Sequence, residues 1–198
     1  SGTRMLLWFN LISESKKITM GSSIETGTQP EFEVKAMGSF VQKPGCPEDA
    51  YNALGEERVD ELCFNECYNP SDDRKFIHRI EVIKVLPQEY VDQPIEGRIL
   101  DPWYTHYCDP NELGCSFKFS DKDFSIDQKD VSYYVRAIEV PTPQINVKGG
   151  VCEFDAEGNC IKFKLCTQDW RHPRDIETCS EIDEHRAWSS PIYLDYLS

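Results

Sequence analysis

Alternating and uniformly apolar runs along the chain predict a protein built mainly from β-strands. In residues 31–37, "EFEVKAM", Phe32, Val34 and Ala36 fall on one face, a spacing typical of a half-buried strand. Residues 131–139, "VSYYVRAIE", alternate in the same way. Runs of strand length occur at 4–12, 31–37, 77–85, 116–119, 131–139, 160–165 and 191–196.

Two of these runs carry specific expectations about burial. Residues 4–12, "RMLLWFNLI", have few charges, which predicts a buried strand. In residues 160–165, "CIKFKL", we expect Ile161, Phe163 and Leu165 to be buried, while the lysines between them face water.

One helix and one turn complete the predicted elements. Residues 49–62 place Leu54, Val59 and Leu62 at roughly helical spacing, and the run 69–73, "NPSDD", is typical of a turn. About seven strands and one short helix predict a mostly antiparallel β-sandwich. We expect a single domain over residues 1–198, with Cys-rich loops at 43–75 and 98–115 and an insertion at about 141–185.

The charge of the chain limits its partners. The 198 residues have a formal net charge of −14 and a pI of about 4.7, so the chain repels nucleic acid, which we do not expect as a partner. No apolar run approaches the roughly 20 residues of a membrane helix, and we expect no membrane insertion.

Nine cysteines without a Cys-x-x-Cys pair favour a disulfide framework in an oxidising compartment, periplasmic or secreted. Turn-forming residues between closely spaced cysteines predict the pairs Cys108–Cys115, Cys152–Cys160 and Cys166–Cys179. Cys46 then has either Cys67 or Cys63 as its partner. Because nine is odd, at least one cysteine is free or pairs outside this chain.

Candidate chemistry is sparse. The four histidines have no metallohydrolase spacing, and no Gly-x-Ser-x-Gly elbow or phosphate-binding glycine loop is present. A zinc site from Cys46, Cys63, Cys67 and His78 would have irregular spacing, so we expect no metal, cofactor or catalytic residue. The acidic run 121–130 lacks the glycine and glutamate of a calcium loop and is interpreted as a solvated turn.

Two groups of residues are candidates for structural or binding roles. Trp103, Tyr104 and Trp170 are a possible ligand platform, although aromatic residues in β-rich domains are more often core. The segment 186–196, "RAWSSPIYLDY", is interpreted as a closing strand with its lead-in residues. We expect Trp188 to be mostly buried and Arg186 to lie near the rim. We expect Ser189 and Ser190 to be structural rather than nucleophilic.

The order of several short motifs resembles a known family. "SGTRMLLWF", "MGSSIE", "RIEVIKV", "YYVRAIEVPTPQIN" and "RAWSSPIYLDY" together resemble the C-terminal part of bacterial proteins grouped with the PHP-type (polymerase and histidinol phosphatase) metal-dependent hydrolases, and similar to carbaryl-hydrolase-like proteins. Many members are known only as domains of unknown function. In that family a barrel carries the metal-binding residues, and a "TSG-x-R" segment leads into a β-sandwich ending in "AWSSPI".

The resemblance implies a non-catalytic role, because the family's metal-binding motifs lie upstream of the matching region. The chain would then be an accessory β-sandwich domain of an exported hydrolase-like protein, either a fragment or a separated partner, with an upstream catalytic barrel as its partner. Two alternatives are a stand-alone extracellular module that binds carbohydrate or protein, and a serine hydrolase using Ser189 or Ser190.

Overall fold

The protein is mostly β-structure. The computed structural model describes residues 4–13, 16–64, 67–145, 150–165 and 180–197. Within them the chain divides into two compact units, one containing residues 1–41, 72–140 and 185–198, the other 42–71 and 141–184. The Cys-rich loop expected at 43–75 and the insertion expected at about 141–185 overlap the two segments of the second unit, and the single domain over 1–198 stays a prediction.

The first unit is a mostly antiparallel β-sandwich. One sheet has the order β2-β1-β4-β9, with β1 (Leu6–Ser13), β2 (Lys16–Thr19), β4 (Glu31–Met37) and β9 (Gly114–Ser120). The other has the order β3-β16-β10-β7-β8, with β15 also paired to β10; its strands are β3 (Ser23–Thr26), β7 (Ile77–Val85), β8 (Ile99–Tyr107), β10 (Val131–Glu139), β15 (Arg186–Trp188) and β16 (Ile192–Tyr196). The β16–β3 pair is parallel. We call these the four-stranded and six-stranded sheets.

The predicted alternation accounts for the core between these sheets. Phe32, Val34 and Ala36 of β4 are buried, as are Ile192 and Leu194 of β16. They belong to one cluster with the inward residues of β10, which are Val131, Tyr133, Val135 and Ala137. The aromatic centre of the core is Phe32, whose ring centroid lies 4.9 Å from that of Tyr133 and 4.8 Å from that of Phe119.

The strand β1 corrects the expectation of burial along residues 4–12. Phe9 and Leu11 are buried, whereas Leu6 and Trp8 are 41% and 43% exposed. The reason is the pleat: alternate side chains of β1 point to the outer face of a sheet that, among the described residues, carries no further layer.

The second unit has little apolar core of its own among its described residues. Its elements are α1 (Glu48–Leu54), α2 (Glu56–Cys63), β11 (Thr142–Ile145), β12 (Gly150–Phe154), β13 (Cys160–Leu165) and β14 (Ser180–Asp183). The prediction that Ile161 and Phe163 are buried is wrong, since they are 67% and 53% exposed. Among the described residues, strand β13 pairs only with β12, and a two-stranded hairpin leaves side chains such as these exposed.

The predicted helix and turn also need correction. The single helix over 49–62 is two helices, because Gly55 between them has a φ of 78°. The predicted turn at 69–73 is instead the strand β6 (Pro70–Arg74), which pairs with β5 (Phe40–Gln42). A short third helix, α3 (Phe124–Asp127), lies in the first unit and buries Phe124.

Candidate ligand groove

The outer face of the four-stranded sheet contains a groove of about 890 Å³. Its floor comes from strand register: Trp8 of β1 lies opposite Lys35 of β4, which lies opposite Ser116 of β9. Two residues further along β1, Asn10 lies opposite Glu33 of β4. Because side chains two residues apart share a face of a sheet, these five residues line one surface.

Apolar groups are exposed within this groove. The Trp8 side chain is 43% exposed, although tryptophan is usually mostly buried. Met37 on β4 and Leu113 in the loop before β9 also line the groove, and Leu113 is 59% exposed. An exposed indole in a concavity with polar neighbours is the composition that small-molecule sites share.

One wall of the groove is a disulfide-closed loop between β8 and β9. The Cys108–Cys115 disulfide closes it, as the turn chemistry predicts. Inside the loop the Asp109 carboxylate accepts hydrogen bonds of 2.8 Å from both the backbone N–H and the side-chain amide of Asn111. These two bonds hold the pKa of Asp109 below its usual value. The loop therefore presents Asn111 and Leu113 to the groove in a fixed arrangement.

Three of the four charged side chains of the groove are paired with one another. Lys17 on β2 donates to the Glu33 carboxylate, and the Lys35 ammonium lies 3.9 Å from the other Glu33 oxygen. The hydrogen bond from Lys17 lowers the pKa of Glu33, so this carboxyl is ionised at neutral pH. The lining contains two lysines and two glutamates, Glu112 being the second, and so has no formal net charge.

The outer face of the six-stranded sheet is organised differently. Glu81 of β7 lies between two guanidiniums: Arg79 Nε donates to one oxygen at 2.8 Å and Arg136 Nε to the other at 2.7 Å. Arg136 also donates to Asp101 at 2.7 Å. Burial alone would raise the pKa of Glu81, but the hydrogen bonds from the two arginines outweigh it and lower that pKa. We call these four residues the Glu81 network.

The structure corrects the expected burial of Trp188, which is 58% exposed. Trp188 pairs with Arg136 across β10 and β15. Arg136 lies between the inward residues Val135 and Ala137, so it and its cross-strand partner both point outward.

The two serines after Trp188 differ in their contacts. The Ser189 backbone N–H donates to Val135 O at 3.0 Å, and its hydroxyl oxygen accepts the Val135 N–H at 3.0 Å. Ser189 thus continues the pairing of β10 beyond β15, which is a structural role. Ser190 is exposed, as is Arg186, which lies opposite Ile138 in the β10–β15 register.

Trp103 and Tyr104 of the possible ligand platform do not form one exposed surface. Trp103 is half-buried and packs against the core, with its ring centroid 6.0 Å from that of Tyr133. The neighbouring Tyr104 is 41% exposed, with its ring centroid 5.9 Å from that of Phe117. Trp170 lies outside the described residues.

The acidic run 121–130 is not wholly solvated, because Asp121 is fully buried. Its carboxylate lies 2.6 Å from the Lys84 ammonium and accepts the Tyr133 hydroxyl at 2.5 Å. Burial, reinforced by this hydrogen bond to Asp121, raises the pKa of Tyr133 far above its usual value. The three groups form a paired polar cluster inside the sandwich, consistent with the rule that buried charges are paired.

The remaining cysteine predictions fall into three groups. Cys152–Cys160 is a disulfide as predicted, and Cys46 pairs with Cys67, which rules out a zinc site that uses Cys46 and Cys67. Within the described residues Cys63 is a free thiol. Cys166 and Cys179 lie outside the described residues. The three disulfides fit an oxidising environment.

The described part of the chain contains neither a cluster of metal-binding side chains nor a membrane-spanning helix. There, no group of three or more His, Cys, Asp or Glu side chains is placed to hold a metal ion. Across the same residues, no helix is both long and apolar enough to cross a membrane.

Comparison with protein-family models, with curated proteins and with solved structures finds no match for this chain.

Sequence reasoning missed Trp8 as the central side chain of the groove. The signal was the parity of β1: Trp8 shares its face with the polar Asn10, whereas Phe9 shares the other face with Leu11. Reading the run 4–12 as uniformly apolar hid this difference.

Proposed function

We propose that this chain is an accessory binding domain of an exported protein related to the PHP-type metal-dependent hydrolases, and that the groove around Trp8 is its binding surface. The observation that carries the binding role is the exposed indole in a groove of about 890 Å³ with apolar and polar lining. Concave sites of this size and composition are typical of ligand binding.

The link to the hydrolases rests on the sequence resemblance. Three of its motifs occupy neighbouring strands of one sheet: "RIEVIKV" is in β7, the first seven residues of "YYVRAIEVPTPQIN" are in β10, and "RAWSSPIYLDY" spans β15 and β16. Motifs that lie side by side in the core are expected to form one structural unit, which supports reading them together. Three disulfides support export of the protein.

The proposal assigns chemistry to an upstream barrel and binding to this domain. Purified chain, supplied with Mn²⁺, Zn²⁺ or Fe²⁺, is assayed against phosphomonoesters and aryl carbamates. The same protein is tested for retention on immobilised extracellular polysaccharides and proteins. We expect retention without turnover, and loss of retention in Trp8→Ala.

The control is Trp188→Ala, which removes a tryptophan that is 58% exposed, against 43% for Trp8, from the other sheet of the same unit. We expect it to be retained like the parent chain. Hydrolysis that co-purifies with the chain would overturn the non-catalytic role, and retention that survives Trp8→Ala would overturn the assignment of the groove.

A further inference from the structure

We infer that the groove around Trp8 binds a neutral oligosaccharide, a proposal that rests on the binding function proposed above. The inference depends on the charge of the groove, on the strand that carries Trp8, and on the hydrogen-bonding groups beside it. Each of these narrows the class of ligand.

Charge disfavours ionic ligands of either sign. The chain as a whole has a net charge of −14, which repels anions and attracts cations, so the case against a cation rests on the groove itself. Within the groove, Lys17 and Lys35 both lie within ion-pair distance of Glu33, so this carboxylate is already neutralised. Two lysines balanced by two glutamates give no local excess charge for an ionic ligand to neutralise. Electrostatic complementarity therefore favours a neutral ligand.

The position of Trp8 disfavours an extended peptide over the indole. Peptides commonly bind sheets by adding a strand to an exposed edge, where backbone groups are unpaired. On one side of Trp8, β4 pairs with β1 along Leu6–Ile12. On the other side, β2 pairs with Asn10–Ser13, and the Met20 N–H donates to Phe9 O beside Trp8. The sheet at this point offers a flat face of side chains, and recognition there depends on those side chains.

The side chains beside Trp8 suit a sugar. An exposed indole provides a flat apolar surface against which the C–H face of a pyranose ring packs. Asn10, Asn111 and Ser116 line the same groove, and amides and hydroxyls both donate and accept hydrogen bonds, as ring hydroxyls require. Because Asn111 is hydrogen-bonded to Asp109, ordering this side chain on binding should cost less conformational entropy.

The size of the groove favours more than one sugar ring. Its volume of about 890 Å³ lies toward the upper end of the range for small-molecule sites, about 300–1,000 Å³. An oligosaccharide lying across β1 and β4 fits this volume better than a monosaccharide does.

The test is calorimetric titration of the intact chain with three sets of probes: neutral oligosaccharides (gluco-, manno- and chito-oligomers), uronate or sulfated oligosaccharides, and neutral or lysine-rich peptides. We expect binding of at least one neutral oligosaccharide, with an affinity that changes less than about twofold between low and high salt. Trp8→Ala should weaken that affinity at least about tenfold. Trp8→Phe should restore part of the loss, and Trp188→Ala should bind like the parent.

Each contrary outcome has its own meaning. Trp8-dependent binding of only charged sugars or only peptides would overturn the neutral glycan and leave the groove as the binding surface. No binding of any oligosaccharide would likewise overturn the ligand class. Oligosaccharide binding that is unchanged in Trp8→Ala would overturn both this inference and the proposed role of the groove. Matched melting temperatures of the variants show that the fold is intact.

Discussion

The sandwich presents an exposed tryptophan on each of its two outer faces, and the surroundings of the two differ. Trp8 on the four-stranded sheet stands in a groove with a disulfide-closed loop as one wall. Trp188 on the six-stranded sheet pairs with Arg136, whose guanidinium already bonds Glu81 and Asp101. The first face has an open concavity, whereas the second is organised by contacts within the protein.

Exposure of an aromatic residue is therefore not enough to identify a site. Glu81 is 7% exposed and receives hydrogen bonds from two arginines, so its network contributes to the stability of the sheet. Glu33 pairs with Lys17 and Lys35, whose side chains are 55% and 51% exposed, so its pairing contributes little to stability. The groove is therefore free to serve binding.

The largest effect is expected in the core that both faces share. Phe32→Ala removes a fully buried ring that packs on Phe9, Phe119 and Tyr133, and should lower the free energy of unfolding by about 3–5 kcal/mol. Phe154→Ala, at a phenylalanine that is 65% exposed, should change it by less than about 0.5 kcal/mol. Denaturant unfolding measures both, and equal costs would contradict the assignment of the core.

The next effect separates the two faces. Glu81→Ala leaves Arg79 and Arg136 without their shared acceptor and should cost about 2 kcal/mol, since hydrogen bonds to charged groups contribute about 1.5–3 kcal/mol and this site is partly exposed. Glu33→Ala should cost clearly less, because the two lysines that pair with Glu33 are about half exposed. Thermal melts of the two variants compare them directly. A costlier Glu33→Ala would reverse the comparison.

A smaller effect tests the strand that carries Trp188. Ser189→Ala removes the hydroxyl that accepts the Val135 N–H and should cost about 1 kcal/mol. Ser190→Ala, at the exposed neighbour, should stay within about 0.5 kcal/mol of the parent. The melting temperatures decide, and labelling of either serine by a serine-reactive phosphonate would contradict the structural role.

The smallest effect expected is a pH dependence of the Glu81 network. Because the pKa of Glu81 is lowered in the folded state, its stabilisation is present above the unfolded pKa of about 4.3 and is lost as pH falls through the folded value. The stability difference between parent and Glu81→Gln should thus be constant above about pH 5 and shrink in acid. A difference that grows in acid would show that the network does not favour the ionised carboxylate.

The sequence predicted the inner faces of the sandwich well and its outer faces poorly. In β4 and β10 every second side chain is apolar and those between them are mostly polar. This alternation alone was enough to predict which face lies in the core. In β1, Leu6 and Trp8 are apolar on one parity and Phe9 and Leu11 on the other. Only the polar Asn10 marks the outer face of this strand, so the apolar residues alone do not show which face is covered.

Long-range contacts account for the other differences. Burial of Asp121 depends on Lys84 and Tyr133, and Lys84 lies far away along the chain on β7. Exposure of Trp188 depends on its pairing with Arg136 of β10. In contrast, the Cys108–Cys115 and Cys152–Cys160 disulfides follow from local turns and were predictable from spacing.

The most direct test of the groove as the binding surface is residue-resolved NMR of the ¹⁵N-labelled chain during titration with the neutral oligosaccharide that binds best. We predict that the indole N–H signal of Trp8 and the side-chain amide signals of Asn10 and Asn111 shift with one common saturation curve. The indole signal of Trp188 should stay in place. Shifts that centre on Trp188 and leave the Trp8 signal unchanged would contradict the assignment of the groove as the binding surface.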